Sequence, residues 1–199
     1  LKIALCTASP IGSMISPEAT QAAKQAADFL AAAGHEIIEI PYPVDGAALI
    51  RSYYQMNGAE TTAMMNSIQQ GLGRPIRKEE IESFSWTMHQ FGQKIPAATY
   101  VHSLQLWDQA AVTMEELFQK FDLFLSPTTA FSAPKINEDL QSEHIRQRME
   151  QAAELTEAEL AELIYDYFDK SLQLTPYTQL ANLTGQPAIS LPTHVTATG

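Results

Sequence analysis

Three short loops carry the residues that could contact a substrate, and each loop follows a predicted strand. They are Ala8-Ser-Pro-Ile-Gly12, Ser126-Pro-Thr-Thr129 and Leu191-Pro192. In a parallel α/β sheet, ligands bind at the carboxyl ends of the strands, where the loops are free to vary. The alternative is that proline simply ends each strand, and spacing alone favours that interpretation.

The sequence lacks the motifs of several catalytic and metal-binding classes. It contains no G-x-S-x-G nucleophile elbow, no H-E-x-x-H zinc motif, no C-x-x-C pair and no G-x-x-x-x-G-K phosphate loop. Cys6 lies in a predicted core strand without an adjacent histidine, which favours a buried structural thiol over a nucleophile. The histidines show no ligand spacing of three or four, so we expect structural or surface roles for them: His35, His89, His102, His144 and His194. We therefore predict no metal site and no cofactor.

Composition excludes further classes of function. A length of 199 residues allows one ordinary domain or a piece of a larger one, and 45% apolar with 18% charged residues is typical of globular proteins. A net charge of −11 argues against binding the nucleic-acid backbone, which requires clustered Lys and Arg. No run approaches the about 18 apolar residues that a membrane helix needs. The charge and the short apolar runs thus predict a protein that binds neither nucleic acid nor membranes. A lone cysteine suits a reducing compartment, so we also expect the protein to be cytoplasmic.

Both ends of the sequence indicate an excised piece of a longer protein. The first residue is Leu1 rather than Met, and the chain reads as a strand from its first residues. The last residues, Thr198-Gly199, stop without a basic tail or a helix end. We therefore expect residues 1–199 to form a single α/β fragment of a larger domain, truncated at both ends.

The first forty residues predict a βαβ unit. An apolar run from Lys2 to Thr7 has no helical period, which suits a buried strand. Ser16-Pro-Glu18 is typical of a helix start, with a capping hydroxyl, proline at the first helical position and acid in the first turn. Gly34 closes this helix, and His35 to Ile40 forms a second strand. The unit implies a parallel pair of strands.

Helices dominate the middle of the sequence. Residues 45–95 read mostly as helices, with a break at Gly71-Leu-Gly-Arg-Pro75. Apolar residues from Tyr100 to Phe121 then repeat at spacings of four and three, which predicts one long helix. Residues 138–169 hold ten acids and two arginines, and we expect a solvated helical hairpin there, because Thr156-Glu-Ala-Glu159 is a capping box.

Two further strands are predicted in the second half. Asp122 to Ser126 is an apolar run that suits a third strand. Thr175-Pro176 starts a short helix that ends at Asn182-Leu-Thr-Gly185. Pro187-Ala-Ile-Ser-Leu191 then predicts a fourth strand, which Pro192 ends.

Several of these segments together resemble the amidase signature family. They are Phe121-Asp-Leu-Phe-Leu-Ser-Pro-Thr128, then Thr175-Pro, then Asn182-Leu-Thr-Gly-Gln-Pro-Ala-Ile-Ser-Leu-Pro192. The opening strand, the Ser-Pro-Glu helix start and Gly34-His-Glu are similar to the segment that follows this family's nucleophile. The resemblance implies an α/β fold that is part of the mixed-sheet amidase signature fold, with a βαβ start and several flanking helices.

The resemblance also implies amide hydrolysis by a Ser-Ser-Lys triad. In the family, a lysine acts through a bridging serine to deprotonate the nucleophile, and backbone N–H groups hold the oxyanion. A serine needs both kinds of help, because it is a poor nucleophile until a base takes its proton. This sequence lacks the Gly-Gly-Ser-Ser-Gly segment, and none of its lysines lies in the triad context. We therefore predict no catalytic residue here and no hydrolysis by residues 1–199 alone.

Six residues are predicted to contact a small-molecule amide substrate. The resemblance places Asn182, Thr184 and Gly185 close to the catalytic centre, although helix capping is an equally good role for Gly185. Thr175 stands where related amidotransferase subunits carry an aspartate that helps to hold the amide donor. Tyr53 and Met56 share a helix face with Glu60 that could line an acyl pocket, with core packing as the alternative for both.

Two other functions are weighed against the stand-alone amidase. The first is the amidase-like subunit of a tRNA-dependent amidotransferase, which typically has that aspartate and an R-R-I-x-x-G-type run. Thr175 and Ser83-Phe-Ser-Trp-Thr-Met88 stand in their places and favour the stand-alone enzyme. The second is a non-catalytic binding module of flavodoxin-like shape, which would require native ends. A fragment of this family could also pair with a second copy through exposed sheet edges.

Overall fold

A computed structural model of the chain describes residues 1–196. Thr198 and Gly199, which carry part of the prediction of a cut chain, lie outside the described residues. The chain divides into two compact units. The first comprises residues 1–49, 107–138 and 171–199, and the second comprises residues 50–106 and 139–170.

A three-stranded parallel sheet organises the first unit. Its strands are β1 (Lys2–Leu5), β2 (Glu36–Glu39) and β3 (Leu123–Leu125), in the order β2-β1-β3. Helix α1 (Pro17–Ala32) connects β1 to β2, which confirms the predicted βαβ unit with its parallel pair.

Helix α1 begins and ends where its sequence predicts. The Ser16 side chain accepts a hydrogen bond from the Ala19 N–H at 3.1 Å, so one free donor of the first turn is satisfied. Pro17 occupies the first helical position, where its missing N–H costs nothing. Gly34 follows the helix with φ of 91°, a conformation that a side chain would strain.

Alternate residues of β1 face two small cores on opposite sides of the sheet. Leu5 packs with Ala23 and Ala27 of α1 on one side. Ala4 packs on the other side with two further helices, α4 (Ala97–Phe118) and α7 (Gln179–Thr184). The buried residues that these two helices contribute to this core are Ala110, Met114, Leu117 and Leu180.

Helices and the loops between them make up the second unit, which has no strand among its described residues. It contains most of α2 (Gly46–Leu72), a short 3₁₀ helix (Lys78–Glu80), α3 (Ser83–Gly92), the first part of α4, α5 (Glu143–Glu150) and most of α6 (Glu157–Leu174). Helices α2 and α3 approach very closely, because a Cβ atom on Gly92 would lie 1.9 Å from the Gly58 carbonyl oxygen.

Aromatic rings fill the interior of this second unit. The Tyr54 ring of α2 stacks on Phe168 of α6 with ring centres 4.8 Å apart. The Phe84 ring of α3 stacks on Tyr167 with ring centres 4.3 Å apart. Such pairs stabilise beyond the apolar area they bury, so they join the helices at defined points.

The acidic segment forms helices, as its sequence predicts. The Thr156 N–H donates to the Glu159 carboxylate at 2.8 Å, and the Glu159 N–H donates to the Thr156 hydroxyl at 3.3 Å. This is the predicted capping box at the start of α6. The Lys94 ammonium, in the turn after α3, donates to the backbone carbonyls of Ala153 and Leu155. These bonds join that turn to the segment between α5 and α6.

Two predictions about the end of the chain are wrong. Residues 187–191 form no strand, and within the described part of the chain their backbone takes no part in any ladder. A strand requires a neighbour to receive its N–H and C=O groups, and this sheet ends at β3. In addition, α7 begins at Gln179 rather than at Thr175-Pro176, because residues 176–178 form a turn first.

Candidate functional site

The carboxyl edge of the sheet brings together two of the three loops that the sequence singles out, those after β1 and β3. The Cys6 N–H donates to the Leu125 carbonyl at 2.9 Å, and the Ile40 N–H donates to the Leu5 carbonyl at 2.8 Å. These bonds continue the parallel pairing to the ends of all three strands. The segments that follow the strands therefore leave the sheet at one edge, where α/β proteins bind ligands.

Ala130 joins three distant segments beside this edge. Its carbonyl accepts from the Ser16 N–H at 2.9 Å, at the start of α1. Its N–H donates to the Leu174 carbonyl at 2.8 Å, at the end of α6. Ala130 is fully buried, so this bridge between the start of α1, the loop after β3 and the end of α6 is shielded from water.

Tyr177 attaches the turn before α7 to the end of β1. Its hydroxyl donates to the Thr7 carbonyl at 3.1 Å, and the residue is buried. Burial raises the pKa of Tyr177 to about 12, with a smaller contribution from the nearby Cys6. The phenol therefore keeps its proton near neutral pH, as a hydrogen-bond donor must.

The Cys6 thiol is unsuited to nucleophilic attack. Burial raises its pKa above the ordinary value, a hydrogen bond with the backbone of Ala8 has a smaller lowering effect, and the Glu39 carboxylate raises it. The thiolate is the reactive form of cysteine, and this surrounding disfavours it. The predicted structural role agrees with the complete burial of Cys6.

The Ser9 hydroxyl makes hydrogen bonds within its own loop. Its hydroxyl oxygen accepts hydrogen bonds from the N–H groups of Ile11 at 3.3 Å and Ser13 at 3.0 Å. Its oxygen also lies 3.0 Å from the Ser13 hydroxyl. These bonds stabilise the turn after β1, so Ser9 acts here as a loop-forming residue.

A hydroxyl pair joins the loop after β3 to the segment after α7. Thr128 Oγ1 and Ser190 Oγ lie 3.0 Å apart, and either group can donate. Both residues are exposed. The pair links positions that are separated by 62 residues.

Four of the predicted substrate-binding residues lie in and around α7, and three of them bond to nearby backbone. The Thr175 hydroxyl donates to the Ser171 carbonyl at 3.2 Å, the Asn182 amide donates to the Thr178 carbonyl at 3.3 Å, and the Thr184 hydroxyl donates to the Leu180 carbonyl at 2.7 Å. Each bond joins residues four positions apart, as expected for polar side chains on a helical turn.

Gly185 ends α7 in the left-handed conformation. Its φ is 80°, and its N–H donates to the Ala181 carbonyl at 2.9 Å. The positive φ agrees with the capping role weighed for this residue. No atom lies within 4 Å of the position that a Cβ would occupy, so the glycine is required for its backbone angle rather than for close packing.

Tyr53 and Met56 belong to the second unit, on α2. Met56 is 5% exposed and contributes to the core of that unit, whereas Tyr53 is 37% exposed and contacts the Tyr54 ring. Glu60 is also exposed. The three residues therefore do not share one environment, and core packing accounts for Met56.

The described residues offer neither a metal site nor a membrane-spanning helix. Over residues 1–196, no group of three or more His, Cys, Asp or Glu side chains could hold a metal ion. None of the helices in that range is long and apolar enough to cross a membrane.

Comparison with known proteins identifies the family. The family model described as Amidase matches residues 1–199. The chain belongs to the amidase family. This confirms the family that the N-x-x-G-x-P-A-x-S-x-P run indicates.

Three relatives show how much of an amidase is present. A lipoamidase of Enterococcus faecalis is 37% identical over 99% of this chain but only 27% of its own length. A 6-aminohexanoate-cyclic-dimer hydrolase of Paenarthrobacter ureafaciens is 24% identical over 100% of this chain and 38% of its own length. A solved structure of 6-aminohexanoate cyclic dimer hydrolase superposes on the whole chain with a TM-score of 0.79 at 25% identity, and 39% of that structure is covered. The α/β fold class is confirmed.

Three residues make long-range hydrogen bonds at the carboxyl edge and were not predicted as site residues. They are Tyr177, Thr128 and Ser190. Thr128 lies in a loop that the sequence singles out, and Ser190 is the serine of the family motif, so a signal exists for both. Tyr177 carries no such signal, because its hydroxyl partner is 170 residues away in sequence.

The buried phenol and thiol described at this edge are unsuited to act as a base or a nucleophile near neutral pH. The two groups, Tyr177 and Cys6, both have raised pKa values and stay protonated. The serine and threonine hydroxyls described above are hydrogen-bonded to backbone or to each other.

Proposed function

We propose that this chain is part of an amidase that hydrolyses a carboxylic amide, with its Ser-Ser-Lys triad outside residues 1–199. The observation that carries the proposal is the family match over the whole chain. The absence of a Gly-Gly-Ser-Ser-Gly segment from the printed sequence requires the triad to come from elsewhere in the protein. Residues 1–199 alone are then inactive.

Within that enzyme, we assign the carboxyl edge of the sheet to one wall of the substrate site. Thr175, Asn182, Thr184 and Gly185 lie on one short stretch of chain, and Tyr177 attaches that stretch to the end of β1. Such an attachment limits how far the stretch can move relative to the sheet, which favours a fixed geometry for the reacting groups. Of the two predicted acyl contacts on α2, the exposed Tyr53 remains a proposed one, whereas Met56 is buried in the core.

The proposal is tested on the full-length protein. Lipoamide and the cyclic dimer of 6-aminohexanoate are suitable first substrates, because the relatives' names refer to them. We expect release of a carboxylate and an amine from at least one simple amide, detected by mass spectrometry. Catalysis by purified residues 1–199, after contaminants are excluded, would contradict the assignment of the triad to other residues.

We further propose that the amidase associates through exposed sheet edges and works in the cytoplasm. Strands β2 and β3 are the two outer strands of the sheet, and Leu123 of β3 is 46% exposed. Unpaired edges can accept a strand from the rest of the protein or from a second copy. Sedimentation of the full-length protein over a range of concentrations tests the second possibility, and a strictly monomeric species would exclude it.

A further inference from the structure

We propose that Thr128 and Ser190 are a pair of positioning residues for the amidase reaction. Their hydroxyls lie 3.0 Å apart and hold the segment after α7 against the loop after β3. The inference rests on the proposed function, because it concerns the wall of the site assigned above. It adds two residues that contact each other, and neither has to touch the substrate.

The segment after α7 has few other attachments. Ile189 is 82% exposed and Leu191 is 61% exposed, so neither side chain is anchored in the core. Over the described part of the chain, the backbone of residues 187–191 shows no hydrogen bond to other backbone. Beyond Ser190, a contact between the His194 imidazole and the Gln25 side chain, at 3.1 Å, is the next attachment along the segment.

The partner loop is held firmly. Thr128 lies two residues before Ala130, whose N–H and carbonyl bond to Leu174 and Ser16. Ala130 is fully buried, so the loop has a fixed reference position at the carboxyl edge. A hydroxyl bond to Thr128 therefore fixes Ser190 relative to the sheet and to the end of α6.

The position of Ser190 matters for the residues before it. Only four residues separate Ser190 from Gly185, and two prolines, Pro187 and Pro192, restrict the backbone on either side of Ser190. Displacement of Ser190 is thus passed on to the end of α7, which carries Asn182 and Thr184. Misplacement of a site by about 1 Å can cost roughly 100-fold in rate, even when the mutation is remote from the chemistry.

The test uses the full-length protein and variants that delete each hydroxyl. Ser190→Ala and Thr128→Val remove the two groups, Thr128→Ser retains the hydroxyl, and the double variant tests whether they act as a unit. Matched controls are Ser67→Ala on α2 and Thr113→Val on α4, whose hydroxyls bond to the carbonyls four residues earlier in their own helices. For every protein, kcat, KM and the thermal midpoint are measured.

We expect Ser190→Ala and Thr128→Val each to lower kcat by about 10-fold or more, with KM and thermal midpoint close to the parent's. Thr128→Ser should retain most of the parental kcat. The kcat of the double variant should be no lower than that of the less active single variant, and the control variants should keep the parental kcat. The inference would be overturned by parental kcat in the single variants or by additive losses of kcat in the double variant. It would also be overturned if Thr128→Ser lost as much kcat as Thr128→Val.

Failure of the proposed function would be seen in the activity of the parent protein rather than in that of the variants. If the parent protein hydrolyses no amide, the proposed function fails and the positioning role fails with it. An active parent with unaffected variants overturns the positioning role alone.

Discussion

Different contacts are prominent in the two compact units. In the sheet-containing unit, Tyr177, Thr128 and Ala130 make hydrogen bonds that join distant segments at the carboxyl edge. In the helical unit, stacked rings and ion pairs join the helices, as where the Arg51 guanidinium lies 4.0 Å from the Tyr165 ring centre and pairs with Glu162. The first unit therefore joins distant segments by hydrogen bonds at the edge of its sheet, and the helices of the second unit are joined in part by ring stacking and ion pairs.

The largest expected effect is a loss of stability in the helical unit. In Gly92→Ala, the new Cβ would meet the Gly58 carbonyl, so α2 and α3 must move apart. We expect a loss of about 3 kcal/mol in unfolding free energy. Gly71→Ala on α2 is the control, because open space surrounds its Cβ position. Equal midpoints for the two variants in thermal denaturation would contradict the close approach.

The next largest effect is on kcat and concerns the end of α7 in the sheet-containing unit. Gly185→Ala forces a side chain onto a φ of 80°, at a cost of about 1 kcal/mol in stability. We expect a folded protein whose kcat falls by up to roughly 100-fold while KM changes less, and Asn182→Ala should behave alike. Gly73→Ala, with a φ of 67° after α2, carries the same backbone strain in the other unit. Near-parental kcat in folded Gly185→Ala would assign the residue to capping alone.

A smaller effect tests the attachment made by Tyr177. Tyr177→Phe keeps the buried ring but leaves the Thr7 carbonyl without its donor. We expect a loss of about 1 kcal/mol in unfolding free energy, as for an ordinary buried hydrogen bond. Tyr100→Phe on α4 provides the control for removing a phenol oxygen. An unchanged thermal midpoint for Tyr177→Phe would show that the bond contributes nothing to folding.

The smallest effect is confined to acidic solution and belongs to the helical unit. His89 is buried, its Nε2 lies 2.8 Å from the Gln93 amide nitrogen, and its Nδ1 has no hydrogen-bond partner within the described residues. Burial lowers its pKa below the ordinary 6.5. The unfolded chain therefore binds a proton that the folded chain resists, so stability falls as pH drops below about 6.5. His89→Asn should flatten the decline in thermal midpoint between pH 7 and 5, and an unaltered decline would contradict this.

Local sequence determined several helix termini and the βαβ part of the sheet. Ser16, Thr156 and Gly185 bond or turn as predicted, because a cap depends on residues only three or four positions away. The βαβ unit was predictable for a related reason, since one helix connects its two strands directly. The family was also readable from sequence, because its motif is a continuous run from Asn182 to Pro192.

Tertiary structure alone decided the remaining features. Residues 187–191 have the composition of a strand but pair with no other strand among the described residues, and a strand exists only where another backbone receives its hydrogen bonds. Met56 and Tyr53 differ in burial although their spacing places them on one helix face, because the surrounding helices cover only part of that face. The bonds from Tyr177 to Thr7 and between Thr128 and Ser190 join residues 170 and 62 positions apart. Such contacts depend on how the segments pack, which no local pattern of residues specifies.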